Sequence, residues 1–249
     1  MNMLKLLYYD LEHGSQTLGS SSDIEKMFGY PELEPSTYKE FQDIIRQLYT
    51  PSQKEETIDI GGVKVKQMKK KIEAKIDIDG IIVDTISELS KKYQRSLVTN
   101  EGTMQMKDWG RLKNTLDKLM DMMTMLPGIL ICNCHSKIQV MDDGQNKIIP
   151  YIDGSTKEDI SKWFDFVFYC KAKTDLKGKT SFLWRTCRTE KYDNAKDRSQ
   201  LLDAEIPQDY QLVFDAVKKK GWDGAKILVI GSPGSGKTYS LQTINKGAK

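Results

Sequence analysis

The feature that most restricts the fold of this chain is a glycine-rich turn near its carboxyl-terminal end. Residues 231–238 have the pattern G-x-x-x-x-G-K-T, and an apolar run, residues 227–230, comes directly before them. Glycines let backbone N–H groups turn inward around a phosphate chain, where a Cβ would block the dihedrals or the approach. A buried strand that leads into such a turn predicts a phosphate-binding loop.

The residue types in this turn indicate a task for each position. Lys237 is expected to reach the β- and γ-phosphates of a nucleoside triphosphate, and the Thr238 hydroxyl is expected to bind Mg²⁺. Residues 239–245 are predicted to be a helix, whose N-terminus favours the anion. The predicted nucleotide-binding residues are Gly231, Ser232, Pro233, Gly234, Ser235, Gly236, Lys237, Thr238 and Tyr239. Only 11 residues follow Thr238, so the acidic strands that such a loop needs are either missing or lie earlier in the chain.

Two earlier apolar runs end in carboxylates. Residues 3–9 lead into Asp10 and Glu12, and residues 81–83 lead into Asp84. Open α/β sheets bind ligands at the carboxyl ends of their strands. Asp84 is therefore predicted to bind Mg²⁺ as a Walker B aspartate, and Glu12 is a candidate to orient or deprotonate an attacking water. A solvated turn acid is an equal interpretation of Glu12 on spacing alone.

A third buried run, residues 128–134, ends in a polar cluster. Strand alternation places Cys132 and Cys134 on one face and Asn133 and His135 on the other. Asn133 or His135 is predicted to contact the γ-phosphate, and a capped structural histidine is the alternative. A Cys-x-Cys-His metal site is disfavoured because no second pair of ligands matches it.

Composition and charge restrict the function further. The length of 249 residues predicts one domain over residues 1–249. The net charge of +3 is too small to indicate a general polyanion-binding surface, so any such surface must come from local clusters of basic residues. Residues 64–75 hold six lysines against one glutamate, which indicates either a solvated face or a phosphate-contacting patch. No leader and no membrane-spanning run is apparent, and the four cysteines are expected to be reduced, so the predicted location is the cytoplasm, without a membrane partner.

The remaining pattern predicts alternating helices and strands. Helices are expected over 37–48, 86–97, 105–126 and 210–220, with Trp109 on the apolar stripe of the third. Strands are expected over 163–170 and 181–187, and residues 137–156 are expected to be a long loop. Residues 57–75 are expected to be a peripheral basic hairpin that turns at Gly61 and Gly62, and residues 218–224 a linker.

Several of these segments together resemble a known family. Residues 8–14, 81–85, 108–111, 131–135 and 195–199 are similar to phage ATPases of the RecA/RadA superfamily that support single-strand annealing and recombination. The resemblance covers nearly the whole chain, but in a rotated order, because in that family the phosphate loop comes first. The chain therefore resembles a circular permutant of that family.

The resemblance implies an α/β fold with a RecA-like P-loop core, that is, a mainly parallel sheet flanked by helices, and it implies ATP and Mg²⁺ as ligands. It implies that Glu12 activates water, that His135 senses the γ-phosphate, and that residues 99–106 and 136–156 face DNA. Lys196 and Arg198 resemble a motif that reaches an ATP site across a subunit interface, which implies a homo-oligomer, either a ring or a filament.

The expected function is a DNA-stimulated ATPase that binds single-stranded DNA and promotes annealing or strand exchange. A helicase-type motor and a nucleotide-binding module without DNA activity remain as alternatives.

Overall fold

A mixed β-sheet with helices on both faces forms the centre of the structure, a computed structural model that describes residues 3–98 and 103–246. In chain order the strands are β1 Leu6–Asp10, β2 Tyr49–Ile60, β3 Val63–Ala74, β4 Gly80–Asp84, β5 Ile129–Val140, β6 Asn146–Pro150, β7 Phe166–Thr174, β8 Thr180–Arg185, β9 Lys196–Asp197, β10 Glu205–Pro207 and β11 Lys226–Gly231. The helices are α1 Ser21–Phe28, α2 Tyr38–Leu48, α3 Ile86–Leu97, α4 Met106–Met125, α5 Thr156–Asp159, α6 Tyr210–Lys219 and α7 Lys237–Ser240.

The strand order of the main sheet is β1-β4-β5-β11-β7-β8-β10. From β1 to β7 every neighbouring pair is parallel, whereas β8 and β10 are added in antiparallel fashion. β11, the last strand along the chain, therefore lies in the middle of the sheet between β5 and β7. The predicted α/β class with a mainly parallel sheet is confirmed.

The central strands are apolar on both faces because helices cover both. β1 and β4 are buried at every position, and β11 is buried at all positions except Lys226. Residues of α2, α3 and α4 form the core on one face, and residues of α1 and α6 form the core on the other. α1, with its Ser20–Asp23 capping box, was not anticipated in the polar stretch that contains it.

Two predicted boundaries change in the structure. The expected loop over residues 137–156 is wrong for most of its length, because β5 continues to Val140 and pairs with β6 as a hairpin. The alternation of Ile138 and Val140 with polar neighbours is a strand signal that the low apolar content concealed. The basic hairpin is confirmed with its turn at Gly61 and Gly62, but it is longer than expected, since β2 begins where α2 ends.

The predicted inward position of Trp109 is wrong. Its side chain is 38% exposed, whereas Leu112, Leu116, Leu119 and Met123 of the same stripe are buried. In the first turn of α4 the buried residue is Asp108, because its carboxylate accepts the N–H of Gln105 and caps the helix.

The two ends of the described chain meet on the sheet. The Asn245 side chain accepts the Leu4 N–H at 2.8 Å and donates to the carbonyl of Leu4 at 2.9 Å and that of Met27 at 2.7 Å. These bonds fix the segment after α7 beside the start of β1.

β4 and β5 approach each other closely at Gly80. An ideal Cβ on Gly80 would lie 2.0 Å from the Ile129 carbonyl oxygen, whereas one on Gly110, inside α4, would meet nothing within 4 Å. We expect Gly80→Ala to lower the free energy of unfolding by about 1–3 kcal/mol through overpacking. Gly110→Ala should instead raise it by roughly 0.5–1 kcal/mol, because alanine favours a helix. Urea denaturation measures both, and equal values for the two variants would contradict the packing described here.

Candidate active site

Four neighbouring parallel strands end together and bring distant residues to one edge of the sheet. In register, Asp10 of β1 pairs with Asp84 of β4, Asp84 pairs with Asn133 of β5, and His135 pairs with Gly231 of β11. The polar strand ends predicted from separate parts of the sequence therefore lie side by side.

The turn between β11 and α7 has the backbone geometry of a phosphate loop. Gly236 has a φ of +88°, which favours glycine, and a Cβ there would lie 2.6 Å from the Gln208 side-chain oxygen. The Gln208 amide also donates to the Ser235 carbonyl at 3.0 Å. Gln208 thus supports the loop from outside, a role that no sequence pattern indicated.

Lys237 is held inside this loop. The residue is only 5% exposed, and its ammonium group donates to the carbonyls of Gly231 at 2.9 Å and Ser232 at 3.0 Å. A pocket of about 320 Å³ opens beside it. Its lining residues are Thr17, Phe182, Gly234, Gly236, Lys237, Thr238 and Tyr239.

Thr238 and Asp84 form the central contact of the site. The Thr238 hydroxyl donates to the Asp84 carboxylate at 2.7 Å, and the Tyr8 hydroxyl reaches the same oxygen at 3.3 Å. Burial raises the pKa of the Asp84 carboxyl, against the opposing effects of the Thr238 and Asn133 side chains and the Lys237 charge. The Asn133 amide is fully buried beside this carboxylate and favours its charged form.

A second carboxylate is positioned by a tight turn after β1. The Asp10 carboxylate accepts the backbone N–H groups of Glu12, Gly14 and Ser15 at 2.8–3.1 Å. The Glu12 carboxylate in turn accepts the Thr85 hydroxyl at 2.5 Å and lies 2.6 Å from His135 Nε2. Glu12 and His135, which the sequence placed at the ends of two separate strands, therefore lie in contact.

The environment of Glu12 favours its charged form. Burial raises the pKa of its carboxyl, but hydrogen bonds from His135 and Thr85, with the charge of Lys237, outweigh this and hold it below the ordinary value. An ionised carboxylate that is already oriented can accept a hydrogen bond from a water molecule. This is the arrangement that a water-activating residue requires.

These residues fit a magnesium nucleotide. Hard oxygen ligands suit Mg²⁺, and the Thr238 hydroxyl and Asp84 carboxylate supply them together. The glycine-lined pocket suits a phosphate chain, because the Lys237 ammonium lies beside backbone that carries no Cβ at 234 and 236. The buried Asn133 amide lies at the same edge, beside Asp84.

The other predicted catalytic residues lie elsewhere in this chain. Lys196 and Asp197 pair with Val167 and Phe166 at the start of β7, the opposite end of the strands from the phosphate loop. The Lys196 ammonium donates to the Ser161 carbonyl at 2.6 Å, and Arg198 forms an ion pair with Asp165 at 2.9 Å. They do not join the site of their own chain.

The two predicted DNA-facing ranges are 99–106 and 136–156. In the first, residues 99–102 lie outside the described residues, and the second contains the β5–β6 hairpin.

The supporting roles of three residues were not predicted. Asp10 shapes the turn before Glu12, Thr85 bonds to Glu12, and Gln208 braces the phosphate loop. Thr85 carries a detectable signal, because Thr85-x-x-Glu88 is a helix-start pattern and the Thr85 side chain accepts the Glu88 N–H. Gln208 carries none, since its role depends on β10 lying near the loop.

The fold and the site together define a P-loop NTPase domain. A family model described as an AAA domain matches residues 2–199, and the chain belongs to that family. The matched range contains Glu12, Asp84 and His135 but ends before the phosphate loop, so the family and the loop are independent indications of a nucleotide-binding ATPase domain. No curated protein and no solved structure matches the chain. Within the described ranges, no helix is both long and apolar enough to cross a membrane.

The buried Asp84 carboxylate has a measurable effect on stability. Folding raises the pKa of the Asp84 carboxyl above its ordinary value of about 3.8. As the pH rises from that value through the raised pKa, ionisation of Asp84 therefore lowers the free energy of unfolding. We expect Asp84→Asn to raise the free energy of unfolding of the metal-free protein at neutral pH while impairing hydrolysis. The advantage of the variant should shrink as pH falls and become independent of pH well below about 3.8, where Asp84 is protonated in both states. Denaturation with a chelator across pH measures this, and a variant less stable than the wild type at pH 7 would contradict it.

Proposed function

We propose that this protein binds and hydrolyses ATP, binds single-stranded DNA, and promotes annealing or exchange of DNA strands in phage recombination. One observation carries the ATPase part of the proposal. Four residues converge at one sheet edge, namely Lys237, Thr238, Asp84 and Glu12, and the Thr238 hydroxyl lies 2.7 Å from the Asp84 carboxylate. The AAA domain family supports the same activity.

Each residue has a defined task in hydrolysis. Lys237 and the loop N–H groups would bind the phosphates, and Thr238 and Asp84 would hold Mg²⁺, which would neutralise phosphate charge. Glu12 orients the attacking water and accepts its proton. His135 and Thr85 hold the Glu12 carboxylate in position through hydrogen bonds of 2.6 and 2.5 Å.

The DNA part of the proposal is supported by the resemblance and by the position of the β5–β6 hairpin. β5 runs from His135, in contact with Glu12, directly into this hairpin, where Ile138 and Val140 are 68% and 69% exposed. A change at the γ-phosphate would reach a DNA-facing segment through a few residues of one strand. ATP would order that segment, and hydrolysis would release it.

We also propose a homo-oligomer, a ring or filament with ATP at the subunit interfaces. Arg198 is half exposed and lies at the end of the strands away from its own phosphate loop, so the nucleotide it could reach is one bound to another copy. We further propose that this chain has the element order of the RecA/RadA superfamily in circularly permuted form. The central position of β11 and the bonds between Leu4 and Asn245 support it, because both ends of the described chain lie beside β1.

Two substitutions separate binding from chemistry. Lys237→Ala should abolish nucleotide binding, because the loop loses its buried cation. Glu12→Gln should bind ATP as the wild type does but lose about 10²–10⁴-fold in turnover, because an amide cannot accept the proton. Fluorescent-nucleotide binding and phosphate release measure the two effects. Wild-type turnover in the Gln variant would remove Glu12 from the mechanism.

The DNA-dependent activity needs a separate measurement. ATP turnover is recorded with and without single-stranded DNA at several salt concentrations, beside an annealing assay and sedimentation with and without ATP. We expect stimulation that declines with salt, annealing, and a larger assembly with ATP. Stimulation without annealing but with directional unwinding would indicate a motor instead. Absence of salt-sensitive DNA binding would leave a nucleotide-binding module.

A further inference from the structure

A half-open groove of about 800 Å³ lies between α2, α3 and α4, away from the phosphate loop. Three cationic side chains border it: Lys39 and Arg46 from α2, and Lys118 from α4. Its floor is formed by the half-buried Tyr93, with the almost fully buried Tyr38 and Leu119 beneath it. None of these residues belongs to the ATP site.

The charge of this groove is unbalanced. No carboxylate occurs among its lining residues in the described part of the chain. Arg46 has an exposed ion pair with Asp43 at 3.4 Å, whereas Lys39 and Lys118 have no ion-pair partner among the described residues. Like charges around one concave surface raise the local concentration of an anion. The chemistry of the border therefore fits a phosphate-bearing ligand.

The floor and rim add the other contacts that a nucleotide uses. The rings of Tyr38 and Tyr93 are 4.5 Å apart, and the Thr115 hydroxyl donates to the Tyr93 hydroxyl at 3.0 Å. Thr37 and Ser96 also line the groove, where the Thr37 hydroxyl accepts the Glu40 N–H and the Ser96 hydroxyl donates to the Tyr93 carbonyl. Hydroxyls and cations bind sugar and phosphate, while aromatic and apolar surface receives bases without reading their sequence. Since a drug-sized ligand fills a pocket of roughly 300–1,000 Å³, this groove of about 800 Å³ has room for a short segment of a nucleic-acid strand.

We propose that the groove between α2, α3 and α4 binds a segment of single-stranded DNA, with the phosphates on Lys39, Arg46 and Lys118. The inference rests on the proposed function for the identity of the polymer. It adds a binding surface outside both ranges that the resemblance implies to face DNA. Ser96 lies three residues before one of those ranges, 99–106, so the surfaces are close along the chain.

One helix connects this groove to the catalytic edge. α3 begins after Thr85, which bonds to Glu12, and it carries Tyr93 and Ser96 on the groove wall. Tyr93 is eight residues beyond Thr85, about 12 Å along the helix axis. DNA bound across α2, α3 and α4 holds α3 in place, and with it the Thr85 hydrogen bond that orients Glu12. Occupation of the groove stimulates ATP turnover by this route.

The test compares two triple variants with equal loss of charge. In the groove variant, Lys39→Gln, Arg46→Gln and Lys118→Gln are combined. The matched control combines Lys218→Gln, Lys219→Gln and Lys220→Gln, three exposed lysines at the end of α6, which packs on the other face of the sheet. The probe is labelled oligothymidylate, and its binding is followed by fluorescence anisotropy from low to high salt.

We expect the groove variant to bind roughly tenfold or more weakly at moderate salt, with a slope of log affinity against log salt shallower by about 2, as three lost phosphate contacts require. Its basal ATP turnover should equal that of the wild type, and its stimulation by DNA should be lost. The control should keep both affinity and stimulation. If the triple variant folds poorly, Lys118→Gln alone should make the slope shallower by about 0.7.

Each contrary result has a distinct meaning. Wild-type affinity and salt slope in the groove variant would overturn the inference and leave the proposed function intact. Equal losses in the control would also overturn it, because net charge would then explain the effect. An equal loss of duplex binding would overturn the assignment to single strands. If the wild type binds no oligothymidylate at low salt, the proposed DNA function fails, and the inference fails with it.

Discussion

The contact between the Thr238 hydroxyl and the Asp84 carboxylate, across 154 residues of chain, is the constraint on which the rest of this site depends. It forms because β11 lies beside β5 in the sheet, and β4 lies on the other side of β5. That placement brings the phosphate loop to the edge where β1, β4 and β5 end. α3 starts at this edge, and its first residues connect Asp84 through Thr85 to Glu12 and His135.

The two acids of the site have opposite environments. Burial raises the pKa of Asp84, whereas hydrogen bonds lower that of Glu12 despite its own burial. Two neighbouring carboxylates with separated pKa values are suited to different tasks. Asp84 is suited to bind a cation, whose charge would offset that of the buried carboxylate. Glu12 is held in its charged form and can accept a proton without a bound cation. Burying Asp84 lowers stability, and the apolar cores on both sheet faces offset that cost.

The strands beside the phosphate loop continue past it. β11 ends at Gly231, opposite His135, but β5 continues to Val140 and β7 continues to Thr174, each as one arm of a hairpin. The loop therefore lies between two projecting hairpins, and Phe182 of the second one reaches the pocket. Continuous strands therefore connect the pocket beside the phosphate loop to exposed surface on both sides.

Local signals were sufficient where the chemistry is carried by consecutive residues. Glycine spacing indicated the phosphate loop, and an apolar run ending in an acid indicated Asp84, because these features depend on neighbouring dihedrals and on strand ends. For Glu12 the spacing left a solvated turn acid equally open. The Trp109 position and the 137–156 segment were misjudged because helix capping and strand pairing decided them. Gln208 had no signal, since a bracing contact across 27 residues depends on β10 alone reaching the loop.

The sequence by itself determined the phosphate loop, the α/β class and the residue types available for hydrolysis. Only the tertiary structure decided that a loop at the end of the chain meets acids from its beginning and middle, and that Lys196 and Arg198 lie away from them. It alone decided that three separate cations border one groove. The reason is physical: periodicity and turn chemistry act over a few residues, whereas strand order sets distances between residues far apart in the chain.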